Sequence, residues 1–352
     1  MEITIGYNIL DKIKGCLSKL GANRVYTIVD ENVYKMHEKK VRELVEGLNN
    51  IFYIMPSGEN TKSIEHVLRV YDDLIEKRVD RNTVIISIGG GVTGDISGFI
   101  ASTFKRGLKY IQIPTTLLAQ VDSSIGGKVG INYKGYKNII GSFYFPENTI
   151  IDISFLETLD RRQVTSGLGE ILKYGLISDY EFFRFVSKSI NSIYSCNNEV
   201  LLPIIKRAVS IKESIVNQDI TDRGHRKILN FGHTIGHSIE SFYGFNRYNH
   251  GEAVMLGIMY ESNIAKYMGL ISEEYFMEIC EILQKIVMPV QFNDEEIDEL
   301  LNKMENDKKN QKDGIAFILP VAKGKVDIFN SIEKELIIKS LKGEWIENYR
   351  KQ

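Results

Sequence analysis

The chain has 352 residues, 43% hydrophobic and 26% charged, which suits two folded domains and argues against extended disorder. A net charge of −2 gives no support for general nucleic-acid binding, so an anionic ligand needs a local basic cluster. Three scattered cysteines, Cys16, Cys196 and Cys280, make no disulfide framework or thiolate metal site and fit a reducing compartment.

The N-terminal stretch carries Glu2, Asp11, Lys12 and Lys14 and lacks a secretory apolar core. The longest apolar run, Ile85 to Ile100, is broken by glycines and Asp95, so no membrane span is expected. A cytoplasmic location is the default expectation.

Arg24 to Val29 is rich in β-branched residues and ends in the polar turn Asp30-Glu31-Asn32, which predicts a buried strand. Val33, Met36, Val41, Leu44 and Leu48 then mark a helix. Asn50 to Met55 reads as a second strand, stopped by Pro56-Ser57-Gly58. Ser63 to Glu76 reads as a helix with one apolar face, Thr83 to Ile88 as an apolar strand and Lys109 to Ile113 as another. Strands alternating with helices predict an α/β domain, Rossmann-like, with a parallel sheet covered on both faces.

The pattern then turns helical. Helices are predicted over Arg161 to Ile177, Tyr180 to Tyr194, Glu199 to Gln218, Ile228 to Phe242, Gly251 to Met268 and Glu273 to Ile286, with one short strand over Gly314 to Leu319. The expected division is residues 1–152 as the α/β domain and 153–352 as a mostly α-helical domain. An active site is expected in the cleft between them, since ligand sites favour domain interfaces.

Gly89-Gly90-Gly91-Val92-Thr93-Gly94 follows the strand ending at Ile88 and precedes a helical stretch over Ile96 to Ser102, which satisfies G-x-G-x-x-G. Such a turn lets backbone N–H groups and a helix N-terminus meet a phosphate. The acid expected about 20 positions later is missing. Asp30 or Glu59, each after another strand, is placed to take its role.

His233 and His237 lie at i and i+4, so on a helix they share a face. His250 opens the next helix, and Glu170 offers a carboxylate from a separate one. Two imidazoles, one carboxylate and open positions describe a catalytic divalent site, most simply zinc. A lone histidine is more often a surface or core residue, and Glu170 with Lys173 at i+3 also reads as a surface pair. Glycines flanking His233 and His237 argue for close approach. Spacing leaves open which two of the three histidines bind a metal.

Asp122 to Lys128 is a polar, glycine-rich loop ending in a lysine, followed by Lys137-Asn138. Lys212 falls on the apolar stripe Ile205, Val209 and Val216, so it either snorkels out or points into an anionic pocket. Arg226, four residues before Asn230, joins Lys212 if their helices are adjacent. Such a set, without acidic partners in sequence, suits a substrate with two anionic groups, a phosphate and a carboxylate.

These stretches closely resemble the 3-dehydroquinate synthase family of the sugar-phosphate cyclase superfamily. The matching segments are 89–107, 114–132, 137–146, 167–177, 230–240 and 250–254, with weaker matches at Asp30-Glu31-Asn32 and Asp307-Lys308-Lys309. The resemblance implies zinc or cobalt on Glu170, His233 and His250, with His237 facing the substrate phosphate. It puts Lys128, Asn138, Lys212, Arg226 and Asn230 on the substrate, with Lys173 and Asp122 alongside and one of Lys308 and Lys309 at the phosphate. It implies that Arg106 reaches in from a second subunit, hence a homodimer. It assigns NAD to Asp30, Glu59, Lys62, Gly91, Asp95, Thr115 and Thr116, and Lys137 is counted with the cofactor set. Val129, Ile220, Asp222 and Gly169 depart from the family pattern, where threonine, glutamate, a longer acid and alanine are usual.

The implied reaction turns 3-deoxy-D-arabino-heptulosonate 7-phosphate into 3-dehydroquinate and phosphate. It proceeds by transient NAD-dependent oxidation, phosphate elimination, reduction and intramolecular aldol closure, a step of the shikimate pathway. Three alternatives stand beside it. One is another cyclase, such as 2-deoxy-scyllo-inosose synthase or a valiolone-type synthase, whose substrate lacks the carboxylate. Another is a glycerol-phosphate or iron-type alcohol dehydrogenase. The third is an inactive NAD-binding protein. Retention of Lys212, Arg226, Asn230 and the three metal candidates favours the dehydroquinate reaction.

Overall fold

The computed structural model describes residues 2–308 and 315–346. The chain divides into two compact units: residues 1–160 with 192–213, and residues 161–191 with 214–352. The sequence reading placed a single cut after 152. The finer division arises because residues 192–213 return to the first unit.

In the first unit, β1 (Glu2–Gly6), α1 (Lys12–Leu20), β2 (Arg24–Asp30), α2 (Glu31–Leu44), β3 (Asn50–Met55), α3 (Ile64–Glu76), β4 (Thr83–Gly89), α4 (Gly91–Thr103) and β5 (Tyr110–Pro114) follow in order. A hairpin, β6 (Lys128–Tyr133) and β7 (Tyr136–Phe143), comes next, and β8 (Asn148–Asp152) completes the strands. The six-stranded sheet has order β1-β8-β5-β4-β2-β3, with every pairing parallel.

Alternation of side chains across the pleat builds two cores. Val25 and Val29 of β2 and Val84, Ile86 and Ile88 of β4 pack with Ile13, Leu17, Val41 and Leu44 on one face. Tyr26, Ile28 and Ile85 pack with Val67, Val70, Leu74, Ile96 and Ile100 on the other. Both faces are covered, so β4 is buried along its whole length.

From β2 the chain steps outward to β3, then crosses back to the far side of β2 to form β4. The carboxyl ends of β2 and β4 therefore flank the point where strand order reverses, the place where open α/β sheets bind ligands. Asp30 ends β2 and Gly89 ends β4, with Val29 paired to Ile88 just before them. Asp30 thus stands at the strand end beside the glycine turn, on a strand earlier in sequence.

The second unit holds α5 (Arg161–Ser178) and α6 (Tyr180–Lys188). The chain then runs through α7 (Ile190–Tyr194) and α8 (Asn198–Gln218), most of which group with the first unit. Next come α9 (His233–Phe242), α10 (His250–Tyr267), α11 (Glu273–Leu283), α12 (Asp294–Lys308), the antiparallel pair β9 (Phe317–Ala322) and β10 (Lys325–Phe329), and α13 (Lys334–Lys342). Helix α10 is buried on nearly all sides and packs against α5, α9, α11, α13 and β9.

The helix expected over Ile228 to Phe242 is split. A 3-10 segment covers His225–Asn230, and Gly232 at φ +80° breaks the path before α9. The helix expected over Tyr180 to Tyr194 is likewise two pieces, α6 and α7. Among the described helices none is long and apolar enough to cross a membrane.

Candidate active site

Three chain segments in the second unit converge on one point. Glu170 lies within α5 and is fully buried. His233 is the first residue of α9 and His250 the first of α10. A capping box fixes the start of α10. Asn249 accepts from the Glu252 N–H at 2.9 Å, Glu252 accepts from the Asn249 N–H at 2.8 Å, and the Asn249 amide donates to the Arg162 carbonyl of α5 at 2.7 Å.

The helices approach through glycine. A Cβ on Gly169 would lie 2.6 Å from the Gly251 carbonyl oxygen, and one on Gly236 would lie 2.8 Å from that of Ala253. Gly169 thus leaves room for α5 to meet the start of α10.

Glu170 Oε1 lies 3.5 Å from His233 Nε2 and 3.3 Å from His250 Nε2. All three ligand atoms fall within 4.8 Å of one another. Ligands at about 2.0–2.1 Å around a tetrahedral zinc-sized ion stand about 3.3–3.4 Å apart, which matches. Lys173 donates to the other oxygen, Oε2, whereas Oε1 is buried with no hydrogen-bond partner among the described residues. The far nitrogens of both rings face acceptors: His233 Nδ1 is 3.2 Å from the Phe231 carbonyl, and His250 Nδ1 is 3.4 Å from Glu240 Oε2. With Nδ1 so engaged, Nε2 is the nitrogen that each ring turns toward Glu170 Oε1, as a metal ligand held from behind requires. The residues fit a divalent cation.

The electrostatics agree. Burial, with Lys173, His237 and His250 nearby, pushes His233 well below the usual imidazole range, so its ring is neutral. Burial opposes charge on Glu170, but Lys173 and His250 outweigh it and hold the carboxylate ionised. Burial likewise opposes charge on His250, yet Glu170 and Glu240 push it up to about 10. An incoming cation would take the place of that proton.

His237 sits one turn after His233, its ring 5.1 Å away between centroids. It forms a second possible trio with Glu240 and His250. The two trios share His250. Of the sequence candidates in this unit, Arg226 is buried and donates to the Ile220 carbonyl at 2.9 Å, while Asn230 is exposed. Lys308 and Lys309 lie outside the residues whose side chains are described.

In the first unit, α4 begins at Gly91 with Gly90 as an N-cap that offers no side chain. A Cβ on Gly91 would lie 3.0 Å from Ser123 Oγ. Thr115 Oγ1 and Ser123 Oγ are buried without hydrogen-bond partners among the described residues. A helix start without a side-chain cap, small residues and unused hydroxyls fit a dinucleotide pyrophosphate. Asp30 Oδ1 caps α2, accepting from Asn32 and Val33, and Thr116 Oγ1 accepts from the Ala119 N–H at 3.1 Å.

Lys62, Asp95 and Asn138 form one cluster. The buried Lys62 ammonium donates to Asp95 at 2.6 Å and also to the Asn138 side-chain oxygen. Burial pushes the Asp95 carboxyl up, with Lys62 opposing. Asn132 closes the network: it donates to Glu59 at 2.8 Å and accepts from the Asn138 N–H at 2.9 Å, where Asn138 holds φ +55°. Lys128 and Lys137 are exposed on the hairpin, and Arg106 is exposed after α4 with φ +68°.

Lys212 does not snorkel. It is buried and donates to the Asp122 carbonyl at 2.6 Å and carboxylate at 2.5 Å. Three buried lysines have acidic partners: Lys62 with Asp95, Lys173 with Glu170 and Lys212 with Asp122; the Lys173 pair is the i+3 pair read from sequence, buried instead of on the surface.

The chain is 46% identical over 89% of its length to a curated 3-dehydroquinate synthase from Alkaliphilus metalliredigens, covering 89% of that protein. Family models for the N-terminal and C-terminal parts of 3-dehydroquinate synthase match residues 52–166 and 167–310. The chain belongs to the 3-dehydroquinate synthase family. Among solved structures it resembles a 2-epi-5-epi-valiolone synthase from Streptomyces hygroscopicus subsp. jinggangensis with NAD+ and Zn2+ bound. The TM-score is 0.87 at 25% identity, over 99% of this chain and 97% of that one. It also resembles a 2-deoxy-scyllo-inosose synthase complexed with carbaglucose-6-phosphate, NAD+ and Co2+. Here the TM-score is 0.85 at 27% identity, over 97% and 96%.

Against this 3-dehydroquinate synthase background, sequence reasoning missed Asn132, Glu240, and Glu261 of α10, whose carboxylate accepts from the Gly232 and Ile235 N–H groups at the start of α9. Glu240 had a signal: on α9 it follows His237 by three positions and His233 by seven, on the same face. Glu261 stands in the mostly apolar α10, which was also a signal. Asn132 had none.

Proposed function

We propose that this chain converts 3-deoxy-D-arabino-heptulosonate 7-phosphate into 3-dehydroquinate and phosphate, with NAD and a divalent cation bound. The carrying observation is the convergence of Glu170 Oε1 with the Nε2 atoms of His233 and His250, in a chain whose relatives bear that activity's name. When bound, NAD supplies a reversible hydride acceptor and the cation a Lewis acid for alkoxide charge.

Glu170, His233 and His250 would hold the cation. Lys173 keeps Glu170 ionised and aims Oε1 at the two rings, while His237 serves the substrate phosphate. Lys128, Asn138, Lys212, Arg226 and Asn230 hold the two anionic ends of the sugar, with Asp122 orienting the Lys212 ammonium. Fixing both ends leaves the ring one orientation, which is the main source of rate available to such a site. Asp30, Glu59, Lys62, Gly91, Asp95, Thr115, Thr116 and Lys137 serve NAD. The first unit thus carries the dinucleotide and the second the metal.

The enzyme is further proposed to be a cytoplasmic homodimer in which Arg106 acts in trans. Mixing inactive Arg106→Ala with inactive His250→Ala protein should then restore part of the activity. The primary test is phosphate release by purified protein with NAD and zinc or cobalt. Release from 3-deoxy-D-arabino-heptulosonate 7-phosphate supports the reading; release from glucose 6-phosphate instead would move the activity to inosose synthesis.

A further inference from the structure

Helix α9 begins without a side-chain cap, because its N-cap residue is Gly232. Four orphan N–H groups at a buried helix start demand acceptors. Glu261, reaching from α10, supplies two. Its Oε2 accepts from the Gly232 N–H at 2.7 Å and its Oε1 from the Ile235 N–H at 3.1 Å. Glu261 is fully buried. A carboxylate buried in a helix whose neighbours are Met259, Tyr260 and Ile264 is costly unless its oxygens are used, and both are. Its negative charge also suits the positive end of α9.

The two bonded peptides bracket His233. The Gly232 turn allows this: a Cβ there would lie 2.7 Å from the Val254 carbonyl and 2.6 Å from Ile258, so the backbones of α9 and α10 meet directly. We infer that Glu261 is a positioning residue that clamps the start of α9 onto α10, and so sets the distance between the His233 and His250 rings. The inference rests on the metal-centre reading of Glu170, His233 and His250. Glu261 reaches the centre through the α9 backbone, bonding the Gly232 and Ile235 N–H groups on either side of the His233 N–H.

The test is cobalt(II) titration of apo protein, followed by visible absorbance, for wild type, Glu261→Gln and Glu170→Gln. Glu261→Gln keeps the shape but faces one N–H with an amide that cannot accept. It should bind cobalt about tenfold to hundredfold more weakly, with an altered visible spectrum, and recover phosphate release at saturating metal. Glu261→Asp, which keeps the charge but shortens the reach, should weaken binding likewise and serves if the glutamine variant does not fold. Cobalt affinity and spectrum equal to wild type in a folded Glu261 variant would overturn the inference, even if its melting temperature dropped. Unchanged binding by Glu170→Gln would instead overturn the underlying metal-centre reading.

Discussion

Nε2 of His250 stands 3.3 Å from Oε1 of Glu170. The same ring turns Nδ1 to Glu240. On the proposed metal reading, His250 is a ligand and His237 serves the substrate. His250→Ala should abolish metal binding, whereas His237→Ala should keep the metal and raise KM for the sugar phosphate. Metal content by elemental analysis, with steady-state kinetics, checks the division. Full metal occupancy in His250→Ala would reject it.

Metal uptake should release protons. His250 is pushed up to about 10 by Glu170 and Glu240, against the opposing effect of burial, so the metal-free ring is charged at neutral pH. A raised histidine value contributes stability to the metal-free fold that is complete below the ordinary imidazole pKa and is lost as pH rises through about 10. Cation affinity runs the other way and strengthens as pH rises. Calorimetry of zinc binding in buffers of different ionisation enthalpy should find close to one proton released per ion near neutrality. No proton release would contradict this account of His250.

Lys173 and Glu170 form a buried pair on one helix, with side chains almost without exposure. Lys173→Met leaves the carboxylate buried without its ammonium and should destabilise the metal-free protein by about 3–5 kcal/mol. Zinc should recover a larger share of stability in the variant than in wild type, because the cation replaces the missing charge. Thermal melts with and without zinc compare the two.

Gly257 faces the Gly232 carbonyl so closely that no Cβ fits. Gly257→Ala should therefore cost about 1–3 kcal/mol by overpacking and displace His233 as well. Denaturant unfolding and zinc affinity should fall together. An alanine variant with wild-type stability would deny the close approach of α9 and α10.

Asn132 joins Glu59 to the backbone of Asn138. Asn132→Ala should weaken NAD binding and raise substrate KM, each roughly two- to tenfold, the size expected for one lost hydrogen bond. A change in one quantity alone would detach Asn132 from the other site.

The sequence made some of this plain and hid the rest for physical reasons. Strands β2, β3, β4 and β5 are short apolar runs closed by turn residues, and they appear within a residue or so of where the pattern put them. The hairpin β6–β7 went unseen because β7 is exposed along almost its whole length and carries no alternation. The break at Gly232 hid inside a stretch with helical periodicity, since a single glycine does not by itself end a helix pattern. Glu170 and the histidines could be gathered as candidates, but spacing alone left the choice among three histidines open, and only the family resemblance implied Glu170, His233 and His250. The acidic partners of Lys62 and Lys212 lie 33 and 90 positions away, beyond any local pattern.

The most direct measurement counts phosphate and NADH together during turnover of 3-deoxy-D-arabino-heptulosonate 7-phosphate with substoichiometric NAD and zinc. The account predicts many phosphates released per NAD, with no net build-up of NADH absorbance. No phosphate release, or one NADH accumulated for each sugar consumed, would contradict it.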